Sequence, residues 1–222
     1  MKNKLIIIIS SIVLLGAAFW IGSTQYKQSE KNRIGALSAE QSKLFIPDHS
    51  PVFGNKDALV TVTEFLDPEC ESCRRFYPKV KKLLKMYEGK VKFVVRYAAF
   101  HKNSKHAIKV LEATRKQNKY WESLELLFNY QPAWADHHNP QPELVFTYLQ
   151  EVGVDIEKLK IDMKDPAIDS IIEKDMKDLG ILNVRGTPTF FVDGKPLDGF
   201  GLNFLYNAVS AAVEKNYSTK VK

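Results

Sequence analysis

The longest uninterrupted apolar stretch lies at the start of the chain. Residues 5–22 read LIIIISSIVLLGAAFWIG, eighteen positions without a charge, and Lys2 and Lys4 precede them. As a helix this stretch is about 27 Å long, which is enough to span a bilayer. A basic segment before such a run favours a cytoplasmic N-terminus. The sequence therefore predicts a single-pass signal anchor over residues 1–22, with the rest of the chain outside the cytoplasm.

A cleaved signal peptide is the alternative interpretation of this segment. Residues 16–18, GAA, offer small side chains where a signal peptidase would cut. The apolar run continues past them through residues 19–21, which favours the retained anchor. The polar residues 23–47 then predict a linker, with a short helix near residues 37–44.

The hydrophobic pattern changes to strict alternation at residue 58. ALVTVTEFL, residues 58–66, is rich in β-branched side chains and predicts a strand. Apolar residues recur at intervals of three and four between residues 71 and 88, which predicts a helix that ends at Gly89. VKFVVRYAA, residues 91–99, predicts a second strand. Strand, helix and strand together predict a βαβ unit with parallel pairing.

Helical periodicity dominates the next segment, residues 101–182. Prolines interrupt it four times, so we expect four or five helices. Residues 189–192 then predict a short strand, and Asp193-Gly194 supplies a tight turn to a hairpin partner at residues 195–197. Apolar residues at helical spacing from Leu202 onwards predict a closing helix. These elements indicate one α/β domain over residues 48–222.

Composition and charge agree with one folded domain. Of the 222 residues, 45% are hydrophobic and 26% charged, as in globular proteins. Without Lys2 and Lys4 the chain carries 30 basic and 26 acidic residues, a net charge of only +4. The lysines at positions 79, 81, 82 and 85 lack interleaved aromatic residues, so they indicate a solvated helix face. We therefore expect a monomer without a nucleic-acid partner.

The two cysteines, Cys70 and Cys73, are separated by only two residues. Outside the cytoplasm cysteines usually join distant segments, whereas this pair would close a ring too small to add much stability. The spacing therefore predicts redox chemistry, in which a helix N-terminus stabilises the Cys70 thiolate and Cys73 is the resolving thiol. Buried core cysteines and a metal pair are the alternatives, but zinc needs four ligands and no second CxxC is present. We expect no metal and no cofactor.

Three sequence motifs carry a family resemblance. They are SPVFGNKDALVTVTEFLDPECESC, the pair FHKNSKHAIKVLEA and KYWESLELLF, and RGTPTFFVDG. From about Ser50 to Leu205 the chain resembles the DsbA-type thiol-disulfide oxidoreductases. The resemblance implies a thioredoxin fold with an all-helical domain inserted at about residues 101–182.

The same resemblance assigns roles to further residues. It implies that Pro188 follows a cis peptide bond beside the redox pair, and that the backbone of Thr187 pairs with an extended substrate segment. Glu64 occupies the position of the family's buried acid, which passes a proton to or from the inner thiol. The alternatives are a solvent-facing Glu64 at a sheet edge and an ordinary proline at the start of a strand. Arg96 is a weaker candidate as the partner of Glu64.

The residues between the cysteines depart from the family pattern. Strongly oxidising relatives carry Pro-His, and this chain has Glu71-Ser72. An anionic Glu71 raises the pKa of Cys70 relative to a histidine neighbour, and a less stable thiolate makes the disulfide less oxidising. The Ser72 hydroxyl can return part of that stabilisation as a donor. The direction of electron flow therefore stays open.

The preferred function is the oxidation of dithiols in secreted or envelope proteins, on the periplasmic or cell-wall side of the membrane. The partners are cysteine-containing substrates, a separate membrane protein that reoxidises the enzyme, and the bilayer through residues 5–22. A disulfide reductase or isomerase of the same fold is the alternative within this class. An extracytoplasmic copper or zinc carrier and a peptide-holding chaperone are the alternatives from other classes.

Overall fold

The computed structural model describes the backbone of residues 2–40 and 42–218, and the side chains of residues 12–33 and 43–218. Its first element is α1, Lys2–Glu40, so most of the predicted linker is helical. Among the described residues, no helix is both long and apolar enough to cross a membrane. The signal anchor predicted over residues 1–22 is therefore not supported. The side chains of residues 5–11 lie outside the described part.

A single five-stranded sheet organises the rest of the chain. The strands are β1 (Val52–Phe53), β2 (Val60–Leu66), β3 (Val91–Tyr97), β4 (Thr189–Val192) and β5 (Lys195–Pro196). Their order in the sheet is β1-β3-β2-β4-β5. Strands β2 and β3 run parallel, as the βαβ pattern predicts, and the other pairs are antiparallel. Strand β1 was not predicted, because two residues are too few to show alternation.

Helices cover the sheet and fill the insertion. Helix α2 (Glu71–Met86) connects β2 to β3, and α9 (Leu202–Ser218) closes the fold. The insertion contains α3 (Ser104–Arg115), α4 (Tyr120–Asn129), α5 (Gln131–Trp134), α6 (Leu144–Leu149), α7 (Ile156–Asp162) and α8 (Pro166–Ile181). The helical insertion is thus confirmed. Between residues 101 and 182, all of them described, it holds six α-helices where four or five were predicted.

Strand β2 lies at the centre of the sheet and is buried along its whole length. Successive side chains point to opposite faces of a strand. Val62 and Leu66 belong to the cluster that contains Leu83 of α2, whereas Phe65 belongs to the cluster on the other face with Phe191. Position 64 therefore faces α2, the helix that begins at the cysteines.

A buried ion-pair network joins β3 to α8. Arg96 is fully buried, and its guanidinium lies 2.7 Å from Asp175 Oδ1 and 2.7 Å from Asp178 Oδ2. The predicted pairing of Arg96 with Glu64 is therefore wrong. Glu64 is in register with Val95, so Arg96 points to the opposite face of the sheet.

Candidate active site

The predicted redox pair lies where β2 passes into α2. Cys70 is the N-cap residue of α2, with φ −76° and ψ 119°, and Cys73 lies in the first helical turn. Both cysteines are free thiols in this structure. Cys70 is 7% exposed and Cys73 is fully buried. The prediction that the helix begins at the thiols is confirmed, and a substrate has access to one sulfur rather than two.

The surroundings of the two sulfur atoms drive their pKa values apart. The hydrogen bond with Cys73 is the largest of several that together lower the pKa of Cys70 from 9.0 to about 5, although burial opposes them. Thr187 and the backbone N–H groups of Cys73 and Ser72 supply the other hydrogen bonds. These N–H groups are the donors that a helix N-terminus leaves unpaired. Burial raises the pKa of Cys73 well above 9.0. Cys70 is therefore the thiolate and Cys73 stays protonated.

The two residues between the cysteines point away from the thiolate. Glu71 is half exposed, and its Oε1 lies 3.7 Å from Nε2 of His137. The Ser72 hydroxyl accepts a hydrogen bond of 3.1 Å from Arg75, so Ser72 acts on Cys70 through its backbone N–H instead. The effect of Glu71 relative to a histidine at that position stays a prediction.

The loop before β4 approaches Cys70 from the other side. The Thr187–Pro188 peptide bond is cis, which confirms the prediction. When Cys70 is protonated, its thiol donates a hydrogen bond to the Thr187 carbonyl, with 3.4 Å between sulfur and oxygen. This contact brings residues 117 positions apart in the sequence to one site.

Glu64 lies beneath the pair, fully buried in the central strand. The prediction of a buried acid is thus confirmed over the solvent-facing alternative. Neither carboxyl oxygen has a hydrogen-bond partner among the described residues. Burial, and then the charge of Cys70, raise the pKa of Glu64 well above 4.5. The charge of Glu64 also contributes to the raised pKa of Cys73, so the protonation states of the two groups are coupled.

The raised pKa of Glu64 predicts a distinctive pH dependence of stability. Unfolded Glu64 ionises near pH 4.5, whereas the folded protein keeps this proton to higher pH. At Glu64 the folded state then binds more protons, so the contribution of this residue to stability falls as pH rises above 4.5, by up to about 1.4 kcal/mol per pH unit. The lowered pKa of Cys70 contributes a slope of opposite sign over the same range, and both proteins share it. Glu64→Gln is expected to remove the falling contribution, so that its stability rises more steeply with pH than that of the wild-type protein. Urea unfolding of both proteins between pH 5 and 8, at roughly unit steps, measures the difference.

A matched control for this measurement is the exposed Glu88. The Glu88→Gln variant is expected to keep the wild-type slope, because an exposed side chain contributes little to stability. Parallel curves for Glu64→Gln and the wild-type protein would contradict a buried, protonated Glu64.

Two acids that the sequence analysis missed precede Cys70. Asp67 is fully buried and accepts hydrogen bonds from the backbone N–H of Phe100 at 2.9 Å and from the Ser104 hydroxyl at 2.7 Å. Glu69 accepts a hydrogen bond from the backbone N–H of Asn103 at 2.7 Å. The loop before the cysteines thereby holds the start of α3. Two acids directly after a buried strand, and an Asn-Ser pair before a helical pattern, were the signals for this contact.

An aromatic surface borders the cis-proline loop. Phe76 of α2 stacks on Phe190 with 6.0 Å between ring centroids, and its ring lies 5.3 Å from that of Phe200. Phe200 is 70% exposed. A groove of about 210 Å³ is lined by Pro188, Phe190 and Phe200. An extended chain that contacts Thr187 would therefore meet apolar surface next to Cys70.

These features define a class of protein: a thioredoxin-like fold with a CxxC pair at a helix N-terminus opposite a cis-proline. A family model described as thioredoxin matches residues 47–214. The chain therefore belongs to the thioredoxin family that this model describes.

Similar proteins include thiol-disulfide proteins and, as described below, antiporters. Disulfide bond formation protein D of Bacillus subtilis is 30% identical over 177 residues, 77% of this chain and 78% of that protein. The crystal structure of a thioredoxin-like oxidoreductase from Silicibacter pomeroyi has a TM-score of 0.67 and 30% identity, and covers 78% of this chain and 96% of its own. The resemblance to DsbA-type oxidoreductases is thus confirmed.

Some relatives are much longer than this chain. The Na(+)/H(+) antiporter NhaA of Herminiimonas arsenicoxydans is 29% identical over 153 residues, which is 69% of this chain but 24% of the antiporter. The chain therefore spans about a quarter of the length of the antiporter relatives that it matches.

Proposed function

We propose that the chain is a thiol-disulfide oxidoreductase that oxidises pairs of thiols to disulfides in proteins outside the cytoplasm. One observation carries the proposed direction: the Cys70 thiolate is strongly stabilised, with a pKa of about 5. A stable thiolate favours the reduced form of the enzyme and therefore makes its disulfide a good oxidant. This argument outweighs the opposite expectation drawn from Glu71, whose carboxylate points toward His137.

The proposed reaction begins with the Cys70–Cys73 disulfide. A substrate thiolate attacks Cys70 Sγ, the sulfur–sulfur bond breaks, and Cys73 leaves with the electron pair. Glu64 supplies the proton that Cys73 takes up, because the carboxyl is protonated and its charge is coupled to that of Cys73, and Glu64 is reprotonated by the proton that the second substrate thiol loses. A second substrate thiolate then attacks the substrate sulfur of the mixed disulfide and releases the Cys70 thiolate. The substrate is oxidised by two electrons, and the enzyme is reduced by two.

Substrate binding is proposed to use the cis-proline loop and the aromatic surface. The backbone of Thr187 forms hydrogen bonds with an extended segment of the substrate. Pro188 has no N–H and therefore donates no backbone hydrogen bond of its own at this position. The groove beside Phe200 accepts apolar side chains of an unfolded chain. Such a surface suits many different proteins with cysteines rather than a single partner.

The proposed place of action is the periplasmic or cell-wall side of the membrane. Disulfides persist in that compartment, and an oxidant of this type has its substrates there. Because each turnover leaves the enzyme reduced, a membrane redox partner must reoxidise it. Residues 48–222 form the proposed catalytic domain.

The metal-carrier alternative lacks a supporting observation in this structure. Among the residues whose side chains are described, no three His, Cys, Asp or Glu residues are grouped as metal ligands would be. The chaperone alternative would share the aromatic surface and needs no thiols. It predicts that a variant with serine at positions 70 and 73 still suppresses aggregation of unfolded proteins, an assay separate from thiol exchange.

The redox potential of the full chain tests the proposed direction. Equilibration with glutathione buffers is expected to give a value of about −120 mV, typical of disulfide donors, rather than about −270 mV, typical of reductases. A value near the lower figure would identify a reductase that depends on an electron supply. The ratio of reduced to oxidised enzyme can be read from the mass of the alkylated protein.

A further inference from the structure

His101 lies just before α3 and contacts the redox loop, which is the segment from Asp67 to Cys70 before α2. Its Nδ1 is 2.7 Å from Asp67 Oδ2, and its backbone N–H donates to the same oxygen at 3.3 Å. A carboxylate only accepts hydrogen bonds, so Nδ1 carries the hydrogen and the ring orientation is set. The side chain is one-third exposed, whereas Asp67 is fully buried. Protonation at Nε2 can therefore occur without breaking the contact with Asp67.

The position of His101 relative to Cys70 follows from contacts on both sides of the cysteine. Asp67 lies three residues before Cys70, and its carbonyl accepts a hydrogen bond from the Cys70 N–H at 3.1 Å. On the other side, the ring of His137 lies 6.3 Å from that of His101, and His137 approaches Glu71, the residue after Cys70. The imidazole of His101 thus lies between the two segments that flank the thiolate.

The charges around His101 favour an imidazolium. Burial lowers the pKa of His101, but the hydrogen bond and charge of Asp67 raise it above 6.5, together with the charges of Cys70 and Glu69. Coulomb interactions are reciprocal, so a thiolate that raises the pKa of a histidine has its own pKa lowered by the imidazolium. The groups that face the imidazole are Asp67, Glu69, Cys70 and His137, with Glu71 behind His137.

We propose that His101 is a positioning residue that stabilises the Cys70 thiolate from the helical insertion, supplying the positive charge that the Glu71-Ser72 dipeptide lacks. The inference rests on the proposed exchange reaction at Cys70 and deepens it. In relatives with a histidine between the cysteines, the positive charge near the thiolate belongs to the helix that begins at the cysteines. Here the charge comes from the helical insertion, 31 residues after Cys70 in the sequence.

Two substitutions at this position separate charge from structure. His101→Gln keeps a donor that can reach Asp67 and removes the charge. His101→Lys keeps the positive charge and changes the shape. His138→Gln is the matched control, because His138 is an exposed histidine that lines the surface pocket beside His137.

The measurements are the pKa of Cys70, from the ultraviolet absorbance of its thiolate, and the equilibrium constant with glutathione, both on the full chain. His101→Gln is expected to raise the pKa and to make the disulfide about three- to tenfold less oxidising. His101→Lys is expected to restore most of both values, and His138→Gln to match the unsubstituted protein.

Two outcomes would overturn the inference. In the first, His101→Gln leaves the pKa of Cys70 and the equilibrium constant unchanged. In the second, the Gln and Lys variants shift both values equally and lose equal stability in urea, which would mark a structural role without charge. Failure of the proposed function looks different: the unsubstituted protein would then show no dithiol-disulfide equilibrium at all, although its Cys70 titration would still decide the role of His101.

Discussion

Cys70→Ser is expected to reduce disulfide exchange to the uncatalysed background, a fall of roughly a thousandfold or more. The physical reason is that Cys70 is the sulfur with a stabilised thiolate and an accessible surface, whereas Cys73 is fully buried. A serine hydroxyl does not ionise in this environment and cannot form a disulfide. The effect is measured as the rate at which a reduced, unfolded test protein loses its free thiols.

Cys73→Ser provides the matched control. This variant is also expected to lose turnover, but it keeps the Cys70 thiolate, which attacks a disulfide in a test peptide and forms a mixed disulfide. Without the inner thiol the mixed disulfide persists and adds the mass of the peptide. Trapping through Cys73 in the Cys70→Ser variant would contradict the assignment of Cys70 as the reacting sulfur.

Arg96→Met is expected to have the largest effect on stability. The guanidinium lies between Asp175 and Asp178, and all three groups are buried. Asp175 also lies 2.7 Å from Nε2 of His49, so the loss falls mainly on Asp178. Removal of one member of a buried ion pair leaves uncompensated charge and costs about 3–5 kcal/mol of unfolding free energy. Urea unfolding of the reduced protein measures this loss.

Two controls test the cause. Arg185→Met alters an exposed arginine and is expected to change stability by less than about 0.5 kcal/mol. Adding Asp175→Asn and Asp178→Asn to Arg96→Met removes the unpaired charges and is expected to recover part of the loss. An Arg96→Met variant as stable as the wild-type protein would show that the network contributes little.

Local signals account for the parts of the fold that the sequence predicted. Alternation in β2 and helical periodicity in α2 depend on neighbouring residues, so they could be read without knowledge of the tertiary structure. Short elements escaped this approach, since α5 has four residues and contains Pro132. The pairing of Arg96 with Asp175 spans 79 positions, and no local pattern reports it.

The candidate site was predictable to the extent that its residues fall in motifs. The cysteine spacing, the Thr187-Pro188 dipeptide and the acid at position 64 all have fixed places in such motifs. Asp67 and His101 do not, because their role arises from a contact between segments 34 positions apart. In a sequence, an acid near a cysteine is common, and so is a histidine before a helix. Only the contact between Asp67 and His101 in the folded structure indicates a role for them.

The hydrogen bonds of Asp67 and Glu69 to the start of α3 limit where segments of this protein can be exchanged with those of a relative. A helical insertion transplanted from a relative would have to bring donors equivalent to Asn103 and Ser104 to these two carboxylates. Otherwise Glu69 would lose the donors of Asn103 and Asp67 would lose the Ser104 hydroxyl, at a cost of about 1–3 kcal/mol for each lost partner. Chimeric proteins with junctions between residues 67 and 104 are therefore expected to fold poorly, and crossovers outside that interval to be tolerated. The insertion and the loop before Cys70 therefore act as one structural unit.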